Sequence, residues 1–168
     1  MANEEQLSLL LQGSDRWNQW RFANRHVPID LCGADLSHAH LSAVDLSNAN
    51  LEDVDFRKAD LRHANLRKAN LHIANLSHAD LSNANLGQAN LKVANLDKAN
   101  LRKANLEFAD LSWAGLIQAN LLEANLHEAN LHGANFNSAT LYRAILTKAK
   151  LEGTDFRQAT LPDGSVHS

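Results

Sequence analysis

The apolar positions of this 168-residue chain recur with a period of five. From Leu31 to Leu161 every fifth residue is Leu or Phe: 27 consecutive positions, 24 of them Leu and three of them Phe (Phe56, Phe136 and Phe156). Two places before each, from Ala34 to Ala159, stands Ala in 23 of 26 cases, with Val44, Val54 and Thr154 as the exceptions. On an α-helix a five-residue step turns about 500°, a net rotation of about 140°, so these leucines would spiral around the helix instead of lining one face. In a straight strand an odd step throws successive leucines onto opposite faces. A short extended piece followed by a corner removes both conflicts. Ala and Leu, two residues apart, then point inward, the intervening Asn or Asp points outward, and the remaining pair, such as Arg67-Lys68 or Gly87-Gln88, forms a solvent-facing corner.

Four such corners close a coil of 20 residues, and stacked positions should then resemble each other at that spacing. Phe56, Phe136 and Phe156 differ only by multiples of 20, Ile73, Val93 and Trp113 step by 20, and so do Leu122 and Tyr142. A three-sided coil would scatter all of these. At about 4.8 Å between stacked backbones, the coils build a rod about 32 Å long.

The run "ANLRKANLHIANLSHADLSNANL" resembles the pentapeptide-repeat family, and the resemblance spans residues 29–161. It implies a right-handed quadrilateral β-helix; the hand comes from the resemblance, since periodicity does not fix it. The expected architecture is an all-β solenoid of about 6.5–7 coils with an N-terminal α-helical cap. The helical start and the "LPDG" ending resemble stand-alone members common in cyanobacteria.

An open coil end exposes leucines and unpaired strand edges, so both ends need cover. Residues 1–28 read as the N-terminal cap: Asn3 as N-cap, Leu7, Leu10 and Leu11 on one face, a break at Gly13-Ser14, then Trp17 and Trp20. A partner-binding helix is the sharper alternative there. The β-helix occupies 29–161, and 162–168 form a tail in which Pro162 stops strand pairing. Near that end Thr140, Ile145 and Lys150 replace the outward Asn or Asp. Tyr142 and Ile145 are therefore candidates for self-association, giving a homodimer through the C-terminal end, against fraying or cover by the tail. Some members of the family dimerise through their C-terminal coils, which supports this only by resemblance.

Composition narrows the function more than it defines it. A formal charge of -3 and a pI near 6.3 give no global reason to bind nucleic acid or an anionic membrane. The lone Cys32 forms no internal disulfide, the start carries acidic residues where a secretory signal is basic, and no apolar run approaches the roughly 20 residues of a membrane span. The expectation is a soluble, cytoplasmic protein without membrane contact. Among the nine histidines, His72 and His132 share a column three coils apart and His38 and His78 lie two coils apart, too far to share an ion. No phosphate loop, metal-binding or nucleophile motif is present. We expect no catalytic, cofactor-binding or metal-binding residues, and hence no enzyme.

Arg57-Lys58, Arg62-His63 and Arg67-Lys68 fall on three successive corners, a belt around the rod interrupted by Asp53, Asp55 and Asp60, so direct nucleic-acid binding is disfavoured. The family includes acidic rods that mimic duplex DNA and bind type II topoisomerases such as gyrase. Here 19 acidic residues stand against 16 basic ones and no loop interrupts the repeats, which makes mimicry the alternative reading. The leading one is a non-enzymatic scaffold or protein-interaction module. Its candidate surface is the break "ADLSWAGLIQANLLEANL" with the residue just before it: Phe108, Trp113, Ile117 and Leu122 occupy four successive corners. Trp113 also continues the column of Ile73 and Val93, and Gly133 and Gly115 leave room for its indole to lie flat. The same residues thus read as a binding surface or as packing relief.

Overall fold

In the computed structural model, which describes residues 2–168, parallel bridges link positions 20 apart along the whole rod, from Asp30–Asn50 to Thr140–Thr160. Each side of the coil pairs through a single bridge residue, so no long strand forms. We call the sides A to D: side A carries positions 30, 50 and onward by 20, side B 35 and 55, side C 40 and 60, side D 45 and 65. One repeat shows how the backbone is satisfied. The amide of Leu91 donates to Asp110 O in the next coil (2.7 Å), Val93 N to Ser112 O (3.0 Å), and Asn95 N to Ala74 O in the coil before (2.9 Å). Ala94 N closes the corner on Leu91 O (3.1 Å), and Lys92 N donates to the side-chain Oδ1 of Asn90 (3.2 Å). Every amide of the repeat has a partner.

The last of these bonds explains the preference for Asn and Asp. An Asx turn two residues on supplies the acceptor that a corner amide otherwise lacks. The same side chain builds a ladder: Asn90 Nδ2 donates to Asn70 Oδ1 (2.8 Å), and Asn130 Nδ2 to Asp110 Oδ1 (3.1 Å). Where Asp meets Asp, as at Asp35 and Asp55, no amide donor exists, and Arg57 binds Asp55 instead.

Each corner hydrogen bond spans four residues, and only the third of them has positive φ, which defines a type II turn. Glycine fits that position best, and Gly33, Gly133 and Gly153 occupy it. The other 23 corners hold side chains at φ between 53° and 62°. Ile73 (φ 53°) and Val93 (φ 59°) are the only β-branched residues among them, and for such side chains the left-handed region is an outlier.

The interior is a continuous column of Leu, Phe and Ala, almost all at most 1% exposed from Leu36 to Leu141. Above it lie α1 (Glu4–Leu10) and α2 (Ser14–Ala23). Asn3 caps α1 by accepting the Gln6 amide (3.0 Å). Side-chain amides of both helices then pair with the first coil as a strand would. Gln6 accepts from Asp30 N (2.9 Å) and donates to Pro28 O (2.9 Å) on side A, while Asn18 accepts from Asp45 N (2.8 Å) and donates to Ala43 O (2.9 Å) on side D. Leu10 and Trp17 are fully buried, and Trp17 Nε1 donates to Asp45 O (2.7 Å). Leu7 and Trp20 pack at the margin, with the two tryptophan rings 5.3 Å apart. Leu11 departs from the expectation. The helix ends at Leu10, so Leu11 becomes its C-cap and stands 60% exposed, while Leu9 packs against the core.

At the other end the tail turns back. Thr160 and Val166 form an antiparallel bridge, with Leu161 N donating to Ser165 O (2.7 Å) and His167 N to Ala159 O (2.9 Å). The backbone of that segment pairs with side C alone, and the His167 ring lies 6.5 Å from that of Phe156. No helix among the described residues is long and apolar enough to cross a membrane.

Candidate protein-interaction site

The walls of a filled four-sided rod are convex, so any site must be a surface. Of the four corner residues of the apolar belt, Trp113 is 62% exposed and Phe108 is exposed on the adjoining corner, whereas Ile117 and Leu122 are half-buried. The apolar belt thus contracts to two corners flanking side A. Along one of them Ile73, Val93 and Trp113 stack one coil apart, all exposed. Between the corners lies the ion pair of Lys92 and Asp110 (3.4 Å). Burial works against ionisation of Asp110, but its bonds from Ser112 and the nearby Lys92 outweigh this and hold its carboxyl below the ordinary range.

Trp113 lies on Gly133, where a Cβ would come within 2.5 Å of indole Cε3, and the His132 ring meets the indole edge-on at 5.2 Å. Phe108 is met in the same way by His127, at 6.0 Å. Gly133 therefore makes the room that the sequence suggested, but Gly115 has another partner. A Cβ on Gly115 would sit 3.1 Å from Asp97 Oδ1, and that carboxylate accepts the Ile117 amide (2.8 Å). Asp97 reaches over from the preceding coil to make the Asx bond that Gly115, lacking a side chain, cannot. Nothing in the five-residue period announces that substitution.

Gly133→Ala is expected to displace the indole and increase quenching of Trp113 fluorescence by acrylamide. Gly153→Ala is the control. It shares the left-handed backbone (φ 69° against 66°) but meets no indole.

Several of the remaining charges pair along the rod itself. Arg57 grips Asp55, Arg62 grips Asp60 and Arg157 grips Asp155 through guanidinium hydrogen bonds that lower each carboxyl, that of Asp155 from 3.8 to about 2. Carboxylates depressed on folding add stability above their unfolded pKa and lose it as the pH falls through the folded one. The melting temperature should therefore hold from neutrality downward and fall between pH 3.8 and about 2. Asp155→Asn should flatten part of that fall in thermal melts, and an unchanged fall would remove the Arg157 pair as its cause.

At the C-terminal end Tyr142 is already engaged. Its ring packs within 3.3 Å of the Cβ position of Gly164, and the Arg143 guanidinium lies 5.1 Å from the ring centre. Ile145 is 48% exposed. Among the described residues no three His, Cys, Asp or Glu side chains converge as metal ligands would.

A four-sided solenoid with a filled core and a patterned outer wall defines a repeat protein. Its sequence matches the family model described as pentapeptide repeats over residues 30–72, 74–112, 104–142 and 124–162. The chain belongs to the pentapeptide-repeat family, whose members fold as right-handed quadrilateral β-helices and are generally non-enzymatic structural or interaction modules. It is similar to HetL, a pentapeptide-repeat protein involved in heterocyst differentiation regulation in the cyanobacterium Nostoc sp. strain PCC 7120, with 34% identity over 82% of this chain and 76% of that one, TM-score 0.47. It is also similar to alr5209 of Nostoc PCC 7120, 35% identical over 48% of this chain and 66% of that one, TM-score 0.47. The plasmid-mediated fluoroquinolone resistance protein QnrB1, 18% identical over 78% and 73% of the two chains at TM-score 0.50, shares the fold. No curated protein matches the sequence significantly.

Proposed function

We propose that this protein is a non-enzymatic, cytoplasmic interaction module whose partner binds the corner formed by Ile73, Val93 and Trp113 together with Phe108. The fold behind this reading is a β-helix of about 6.5–7 coils, covered at its start by residues 2–28 and at its end by the 162–168 tail. One observation carries it. Ile73 and Val93 hold a backbone conformation that β-branched side chains resist, yet both are exposed, 41% and 51%. Corners of the same turn type elsewhere carry Asn48 and Asn83, which tolerate it. Strain at an exposed apolar site supports a functional surface more than a packing one.

Crosslinking pull-down from the native organism tests this. Partners captured by the wild type should be lost with Trp113→Ala, and an unchanged partner list would remove this corner from consideration. DNA mimicry is the weaker reading, because Arg57, Lys58, Arg62, Arg67 and Lys68 break any continuous acidic surface. Dose-dependent inhibition of gyrase supercoiling, without duplex binding, would reverse that order. Self-association through Tyr142 and Ile145 is also weaker: a copy stacked flush on the last coil meets the 163–168 segment that occupies side C.

A further inference from the structure

The two ends of the rod are finished differently. At the N-terminal end the core residues Leu31, Leu36, Leu41 and Leu46 are at most 1% exposed. At the other end Leu151 is 41% exposed and Leu146 and Phe156 are only half-buried. The backbone there is equally unfinished. In interior coils the leucine amide and the second corner amide donate to the next coil, as Leu91 and Val93 do. In the last coil the amides of Leu146, Lys148, Leu151, Gly153 and Phe156 have no acceptor among the described residues, and the carbonyls of Ala144, Ala149 and Thr154 have no donor.

The chain itself shows what such an edge accepts. On side C the Leu161 amide and the Ala159 carbonyl, either side of Thr160, are taken by Ser165 and His167 of an antiparallel segment. The Leu151 amide and Ala149 carbonyl stand in the same relation to Lys150 on side A, and the Leu146 amide and Ala144 carbonyl to Ile145 on side D. The outward positions also change character here. Ile145 and Lys150 replace the amides of the ladder above them, Asn125 and Asn130. Lys148 is engaged by Glu128 (3.0 Å), but Lys150 makes no ion pair among the described residues.

We propose that side A of the last coil receives an extended segment of a protein partner, which adds an antiparallel strand. Its inward side chains are apolar, lying over Ala149 and Leu151, and its outward side chain beside Lys150 is acidic. Main-chain hydrogen bonds to an open edge give the affinity in this mode of recognition, and alternating side chains give the choice of partner. An opposite charge directly across from Lys150 favours an acidic residue there. A second copy of this chain fits less well, since the 163–168 segment projects beyond the last coil on side C.

The test uses amide NMR spectra of the full chain titrated with the peptide acetyl-Val-Glu-Val-Glu-Val-amide. Shifts should concentrate on the amides of Lys148 and Leu151, the counterparts of Gln158 and Leu161 on side C, and Lys150→Glu should weaken binding about fivefold or more. A Val-Lys-Val-Lys-Val peptide should bind more weakly, and a peptide with Pro at its centre should not bind. No shift at those amides at millimolar peptide would overturn the proposal. So would equal binding of the lysine peptide, or binding unchanged by Lys150→Glu. Line broadening of the same amides with protein concentration alone would assign the edge to a second copy instead.

Discussion

Truncating Leu91 to alanine is expected to lower the unfolding free energy by about 2–5 kcal/mol, the range for a large buried aliphatic side chain replaced where its surroundings cannot collapse. Leu91 is 0% exposed, with Leu71 and Leu111 one coil to either side in the same column. Those neighbours are held by ladders of backbone hydrogen bonds at 2.7–3.1 Å, so the coil cannot close around the void without breaking bonds on four sides. In a solenoid each coil touches only its neighbours, and a weak middle coil uncouples the two halves. Urea unfolding followed by circular dichroism should therefore show both a lower midpoint and a broader transition. Leu151→Ala gives the contrast. At 41% exposure in the last coil it has little to lose, and the cost should stay near 1 kcal/mol. Equal costs at the two positions would contradict a core that is sealed in the middle and open at the end.

The reach of the sequence differed from feature to feature for physical reasons. The 20-residue register was legible because a narrow cross-section admits only Leu, Phe and Ala, and because three phenylalanines fell in one column. Phe136 and Phe156 indeed stack with centroids 5.4 Å apart. The Asn ladders were legible from the same repetition. The Asx bond to the corner amide was not, because a period reports which side of the chain a residue faces and says nothing of what its oxygen accepts. Gly115 was misread as space for Trp113 because its true partner, Asp97, lies 18 residues earlier in a corner position, where any residue looks acceptable. Leu11 was misplaced because a helix of seven residues ends before its apolar face completes another turn. The signal that could have sharpened the site was present but unread: β-branched Ile73 and Val93 stand in a column where a type II corner calls for Gly or Asn.

That column yields the sharpest separation of binding from stability. Trp113→Ala should weaken partner binding by about 30-fold or more, the effect of losing a central aromatic anchor worth about 2 kcal/mol. Its cost in stability should stay within about 1 kcal/mol, because the indole is 62% exposed and rests on a glycine. Ile73→Asn and Val93→Asn set two terms against each other. Each gives up the partial burial of an exposed aliphatic side chain, and each releases a left-handed conformation that costs an ordinary L-residue about 1–2 kcal/mol but suits Asn. The terms are of similar size, so stability should change by less than about 1 kcal/mol while binding of the captured partner falls several-fold. Thermal melts and titration of the purified partner decide the matter. If the Asn variants lost stability heavily and kept their affinity, the column would be packing, and the strain at Ile73 and Val93 would be held in place by the fold alone.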